Sequence, residues 1–257
     1  MKTNLSDKTR DRLLGIASPL ALLLLWEVSA RAGVVDVRFF PAPSGIAHQA
    51  VELTSSGELW GHLAASLQRL AWGTLLGGIP ALLLGIAMGL YRPIRAAIDP
   101  LISATYPVPK SAILPLILLI FGLGEASKIV MVALGVFFPV LINTITGVLQ
   151  IDKIYLDVGR NFRATRWQTF RTVALPGALP SIMAGIKLGI GMGLILIAIA
   201  EMVGAKNGIG FMIWDAWQIL SVETMYVGLI VISILGFLLT LILNEIEGWI
   251  LPWKQER

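Results

Sequence analysis

Asp152 to Pro180 reads DKIYLDVGRNFRATRWQTFRTVALPGALP and is the longest polar interval after the N-terminal third of the chain. Its spacing predicts two short helices. In the first, Asp152 caps the N-terminus and Ile154, Val158 and Phe162 recur on one face. In the second, Thr165-Arg166-Trp167-Gln168 fits a capping box: the threonine hydroxyl serves the third amide and the glutamine reaches back. Trp167, Phe170, Val173 and Ala174 supply an apolar face, Pro176 is expected to stop the helix, and Pro180 to open the next run. The product is a helical hairpin, apolar on one side and basic on the other. On physics alone, an amphipathic loop resting on anionic headgroups has the same pattern.

Apolar runs flank this interval on both sides, Ile129–Leu149 before it and about Pro180–Met202 after it. Further out lie Leu13–Ala30, about Leu67–Tyr91, and about Met225–Leu243 continuing to Trp249. One run is odd. Ser111–Leu123 is about 20 Å long as a helix, too short for a hydrocarbon core of about 30 Å. That span must begin near Ile98 and pass through Pro107-Val108-Pro109, so a broken or kinked helix is expected. The first run has a basic flank and a small-residue end at Ala30 and Ala32, which also describes a cleavable leader. A retained anchor is the expectation adopted. Between Arg31 and Ser66 polar residues and turn formers appear, with Gly45–Gly57 suited to a short surface helix.

Of 257 residues, 56% are hydrophobic and 14% charged, with mean hydropathy +0.80. Soluble domains carry about 25% charged residues, so an ordinary soluble enzyme is excluded, as is a disordered chain, which would lack the apolar mass. The absence of cysteine removes disulfides, thiolate metal sites and a cysteine nucleophile. With a cytoplasmic N-terminus, 13 basic residues fall in inner loops and four (Arg31, Arg38, Lys128 and Lys206) in outer ones, which places both termini inside. The net charge of +4 is then topogenic, and no nucleic-acid partner is expected. The fold expected is an all-α polytopic membrane protein of six transmembrane helices. An N-terminal anchor and external segment occupies 1–66, a core of five spans 67–250 with a cytoplasmic loop at 152–178, and a tail 251–257.

Gly73/Gly77, Gly85/Gly89, Gly185/Gly189 and Gly189/Gly193 form small-xxx-small pairs inside two of the spans and point to close helix packing. There is no phosphate-binding loop, and Gly122 to Lys128 has the wrong spacing for one. Only His48 and His62 are present, so no metal site and no catalytic residue is assigned. Ionisable residues inside spans mark pathways. Lys110 follows the break at Pro107 and Pro109, where freed carbonyls line a cavity, and is expected to offset the charge of an anionic substrate. Lys187, Met192 and Glu201 complete the candidate path. Each ionisable or packing candidate has an ordinary alternative: snorkelling or pairing with an acid for Lys110, snorkelling for Lys187, packing for Met192, contact with headgroups for Glu201.

The Asp157-Val158-Gly159-Arg160 helix, its turn, and Leu175-Pro176 before a span resemble the "EAA" loop of binding-protein-dependent ABC importer permeases of type I fold. Ser55–Leu63, Tyr106–Lys110, Phe121–Glu125 and Leu175–Pro180 further resemble the sulfonate, taurine, nitrate and bicarbonate branch, and the likeness runs from about Phe39 to Trp253. The resemblance implies that Asp157, Val158, Gly159, Arg160, Phe162, Arg163, Ala164 and Thr165 form the coupling element, seated in a groove of an ATP-binding subunit. It implies a second copy of the chain, two ATP-binding cassette subunits carrying ATP and Mg, and an external substrate-binding protein. The chain itself would hold no cofactor. It would lie in the bacterial cytoplasmic membrane and pass a small anion by alternating access. Arg163 replaces the family's loop glycine. Either the turn is conventional, or Arg163 accepts a left-handed conformation costing about 1 kcal/mol. A gradient-driven secondary carrier is the rival, but it wants buried acid or histidine relays, which the spans are short of. A structural membrane protein, needing no path, is a third class.

Overall fold

The structure, a computed structural model, describes residues 4–252; inside that range the side chains of 4–9, 12, 13, 16, 153, 156, 160 and 166 are left undescribed. Among the described residues every regular element is helical. In chain order these are α1 (Asn4–Arg31), α2 (Pro43–Ser55), α3 (Glu58–Leu90), α4 (Arg92–Thr105), a 3-10 turn (Lys110–Ile113) leading into α5 (Leu114–Phe121), and α6 (Glu125–Leu149). Then come α7 (Lys153–Asn161), α8 (Arg166–Thr169), a π turn (Phe170–Ala174), α9 (Leu175–Met202), α10 (Ile209–Gln218) and α11 (Val222–Ile250). Among the described residues α3, α6, Trp167–Met202 and α11 are long and apolar enough to cross a membrane. Arg92–Thr105 and Lys110–Phe121 make a fifth crossing if taken together, bent by 85°. The break expected at Pro107 and Pro109 is there.

The chain divides into two compact units, Met1–Trp60 with Met212–Ile230, and Gly61–Phe211 with Val231–Arg257. In the first, Glu27 of α1 accepts hydrogen bonds from Arg31, from the Ser44 amide at 3.0 Å and from its hydroxyl at 2.8 Å, which ties α1 to the start of α2. Trp26 and Tyr226 stack at 5.5 Å, and the Tyr226 hydroxyl donates to Phe39 O. Between α1 and α2, the side chain and backbone N–H of Arg38 hold the Asp36 carboxylate below its ordinary range.

The second unit is built around α6. Gly73, Gly77, Gly85 and Gly89 stand on one stripe of α3, with Ala81 fully buried between them. Cβ atoms on the four glycines would overlap Val132, the Ala133 backbone, Thr144 and Val148 of α6. On the other side Gly185, Gly189 and Gly193 of α9 meet Asn143, Val136 and Val132. The glycine pairs therefore serve one shared partner. Lipid tails are as apolar as leucine, so the gain comes from dispersion contacts between backbones brought close. Leu70, Met88, Val136, Val140, Leu141 and Ile197 fill the remaining core.

One expectation fails. Pro176 does not end the second helix of the hairpin; it lies in the first turn of α9, which continues to Met202. The π turn explains this. The Leu175 N–H donates to Phe170 O, five residues back, so the register widens before a proline that has no N–H to offer.

Candidate functional site

The hairpin forms as its spacing predicts. Asp152 Oδ1 accepts the Ile154 N–H at 3.0 Å. Thr165 Oγ1 accepts from the Gln168 amide at 3.2 Å while Gln168 Oε1 accepts from the Thr165 amide at 2.8 Å, both halves of the capping box. Between the helices Arg163 has φ +53° and the Ala164 N–H donates to Gly159 O at 2.9 Å. This is a Schellman-type C-cap with arginine at the left-handed position. Of the two readings of Arg163, the chain takes the strained one. The side chain of Arg160 lies outside the described residues. Ile154, Tyr155 and Val158 are exposed, as are Phe162 at 82% and Trp167 at 66%. A Cβ on Gly159 would sit in van der Waals contact with Thr169 Oγ1, at 3.6 Å, so the two helices of the hairpin meet closely there. The hairpin thus holds an apolar face outward on a well-capped frame.

At the break, Lys110 Nζ donates to the carbonyls of Thr105 (3.0 Å), Tyr106 (2.8 Å) and Val108 (2.8 Å), and stands 4.3 Å above the Phe138 ring. Thr105 O, which Pro109 leaves without its helical N–H, is thereby given a donor from within the break. Beside it is a pocket of about 490 Å³ whose lining includes Tyr106, Asn143, Lys187, Leu188 and Met192. Lys187 pairs with Glu247 and donates to Asn244 Oδ1. Lys187 and Met192 are therefore brought to one site, and Pro107, Pro109 and Lys110 adjoin it through Tyr106. Glu201 is not there; it lies nine residues beyond Met192 along α9, about 13 Å.

Glu201 is instead enclosed in a polar clasp. Its carboxylate accepts from the Ser66 hydroxyl (2.8 and 2.9 Å), from Arg69 Nη1 (2.8 Å) and from the Gly210 amide (2.9 Å). Arg69 also forks onto Glu125, with two bonds of 2.6 Å, and onto Asn207 O at 2.8 Å. Ser66 Oγ accepts the Ile209 amide and His62 Nδ1 the Gly208 amide. Lys128 reaches the carbonyls of Leu123, Gly124 and Gly204. Glu201, Lys128 and Arg69 are 0%, 1% and 2% exposed. Gly208 is required at φ +115°, since a Cβ there would overlap the Glu201 carboxylate. With its carboxylate enclosed, Glu201 does not reach headgroups. Lys128, counted among outer-loop residues from the sequence, is buried in the first turn of α6.

Sequence reasoning missed this clasp. Its signal was present: His62, Ser66 and Arg69 fall at i, i+4 and i+7 on one face of α3, and an arginine inside an apolar run demands a buried acid. A larger cavity, about 1110 Å³, lies in the first unit, where Arg31 and Arg38 are paired with Glu27 and Asp36. Among the described residues no three His, Asp or Glu side chains are placed to share a metal ion.

The capped hairpin beside an apolar, glycine-packed core matches a known family. Residues 81–254 fit the model of the binding-protein-dependent transport system inner membrane component. The chain belongs to that family. It is a permease, a multi-pass protein of the inner membrane, and the expected membership stands. The chain is 36% identical over 240 residues to a protein of Bacillus subtilis (strain 168) named for aliphatic sulfonates transport, the permease protein SsuC; the match covers 93% of this chain and 87% of that one. It is 35% identical over 256 residues to the taurine transport system permease protein TauC of Escherichia coli (strain K12), covering 96% and 92%. In fold it resembles a chain of the MetNI methionine ABC transporter solved in inward-facing conformations, with TM-score 0.55, 22% identity, and coverage of 75% of this permease and 94% of that chain. Such relatives are transport subunits, not enzymes. The likeness extends beyond the hairpin to nearly the whole permease, as expected from Tyr106–Lys110 and Phe121–Glu125.

Proposed function

We propose that this permease imports a small anion of the class represented by sulfonates, taurine, nitrate and bicarbonate. In this reading it has six spans with both termini cytoplasmic, α1 serving as the anchor ahead of the five-span core. Two copies stand on two ATP-binding cassette subunits, which hold the ATP and Mg, and an external binding protein delivers the substrate. The path runs beside the break at Pro107 and Pro109, past Lys187 and Met192. Lys110 lends the path positive potential while its hydrogens remain on the three carbonyls, and Glu201 belongs to the outer gate. Asp157, Val158, Gly159, Arg160, Phe162, Arg163, Ala164 and Thr165 form the contact with the ATP-binding subunit.

One observation carries this reading. The hairpin keeps a large apolar surface outward on a doubly capped frame, and that frame runs without a stop into the 36-residue helix Trp167–Met202. A push on the hairpin is therefore delivered to a membrane-crossing rod. Alternating access then needs only that ATP-subunit closure and loaded binding protein favour different states, by several kcal/mol for a full swing.

The test is Phe162→Asp, and separately Asp157→Lys with Gly159→Leu, in the complex assembled with its ATP-binding subunit. Either is expected to lower substrate-stimulated ATP hydrolysis on the order of tenfold or to release the ATPase, the loss of one interfacial anchor, while the spans stay inserted. Normal stimulated hydrolysis in both would overturn the assignment.

A further inference from the structure

We propose that the pocket beside the break receives an organic anion with an apolar tail, in preference to a bare inorganic anion such as nitrate. The inference rests on the permease reading above and narrows its substrate.

The pocket's volume, about 490 Å³, falls within the range of small-molecule sites. Ile142, Leu188, Met192 and the Tyr106 ring give it mostly apolar walls; besides the Tyr106 hydroxyl, its polar side chains are Asn143 and Lys187. Neither Asn143 nor Lys187 is idle. One of the two Asn143 amide hydrogens is held by Pro139 O at 2.8 Å. Lys187 is paired with Glu247 and bonded to Asn244, so its charge is neutralised and two of its three hydrogens are committed.

This balance decides between ligand classes. A compact inorganic anion entering such a pocket gives up its hydration and receives few free donors, the adjoining Lys110 acting on it only through its field because its hydrogens are held by carbonyls, so it is disfavoured. An organic anion meets the same penalty at its head group but gains from each methylene that leaves water, about fourfold per methylene. The donors left on Lys187 and Asn143 orient the head, and the walls take the tail. Selection by the pocket therefore follows tail length.

Gly191 gives a direct handle. It lines the pocket, and a Cβ built there meets nothing within 4 Å. Gly191→Leu extends a side chain into the pocket from a position where its Cβ meets no neighbour, and Met192→Ala enlarges the same space. The experiment uses vesicles holding the complete complex with its ATP-binding and substrate-binding partners. Initial ATP-driven uptake of methane-, butane- and hexanesulfonate and of nitrate is measured. Each variant rate is divided by the rate of the unchanged complex for the same anion, which cancels the selectivity of the binding protein.

For Gly191→Leu, hexanesulfonate uptake is expected to fall about fifteenfold, with methanesulfonate and nitrate within about twofold, as expected if about two methylenes lose their place. For Met192→Ala the trend reverses, with hexanesulfonate gaining relative to methanesulfonate. Equal change for all four anions in both variants overturns the inference. Should the leucine variant fail to assemble, the Met192→Ala series decides by itself. An unchanged complex that moves nitrate and no sulfonate overturns this inference and leaves the permease reading standing; one that moves no anion with ATP removes the anion reading as well.

Discussion

At the Met202 end of α9, Glu201 is fully enclosed, its carboxylate bonded to Ser66 and Arg69 of α3 and to the Gly210 amide in the segment that follows α9. At the Leu175 end, the hairpin holds Phe162 and Trp167 out, passes through a left-handed arginine, and joins the helix by a π turn. The two ends spend polar chemistry in opposite ways. In the clasp, the charges of Arg69, Lys128 and Glu201 are withdrawn from solvent and each is matched, so opening it is costly. In the hairpin, hydrogen bonds only secure the backbone, and the apolar surface is left for something outside the chain. One end is finished within the molecule; the other leaves its apolar face uncovered. A helix of 28 residues, about 42 Å long, between them can turn movement at the open end into rotation about the closed one.

The largest effect tests the closed end. Glu201→Ala leaves Arg69 buried with only the exposed Glu125 carboxylate and Asn207 as partners, and removing one member of a buried pair costs about 3–5 kcal/mol. Thermal unfolding of the purified permease in detergent is expected to fall accordingly, and Glu201→Gln, which keeps the shape and one acceptor, to fall less. A loss below about 1 kcal/mol for the alanine variant would mean that the clasp is not what holds this end.

A second test, of intermediate size, addresses the packing that both ends depend on. Gly77→Val places a branched side chain against the Ala133 backbone, which cannot move aside without separating α3 from α6. Overpacking of this kind costs about 1–3 kcal/mol. The same substitution at Gly191, which meets open space, is expected to cost under about 0.5 kcal/mol. Equal losses at the two positions would deny that the α3 stripe is a packing seam.

The hairpin was legible in the sequence because its signals are local. A capping box at Thr165 and Gln168, a cap at Asp152 and a four-residue apolar period each act within one turn of helix. The break was legible for the same reason, since a helix too short for the bilayer with two prolines allows little else. The clasp was not, because its partners are 132 or more residues apart in Arg69 with Glu201 and Ser66 with Glu201. Residue types announced that Arg69 needs an acid; nothing local said which. Pro176 was misread for a subtler reason. A proline removes a donor, but a π turn upstream removes the demand for it, and no residue type signals a π turn.

The smallest effect concerns Arg163, and it separates a position from a side chain. The turn demands a left-handed residue there, as the Ala164 to Gly159 bond shows. Arg163→Gly relieves about 1 kcal/mol of strain but adds freedom to the unfolded chain worth roughly half of that. The net gain, about 0.5 kcal/mol, corresponds to exchange of the Ala164 amide hydrogen slowed about twofold. Arg163→Asn tolerates the same conformation and likewise removes the charge. If both variants keep full substrate-stimulated ATP hydrolysis, the arginine is a tolerated occupant of a glycine site. If both lose it while the amide remains protected, the guanidinium itself touches the ATP-binding partner, and the strain persists because the contact requires that side chain. Faster exchange in the glycine variant would contradict the strained geometry altogether.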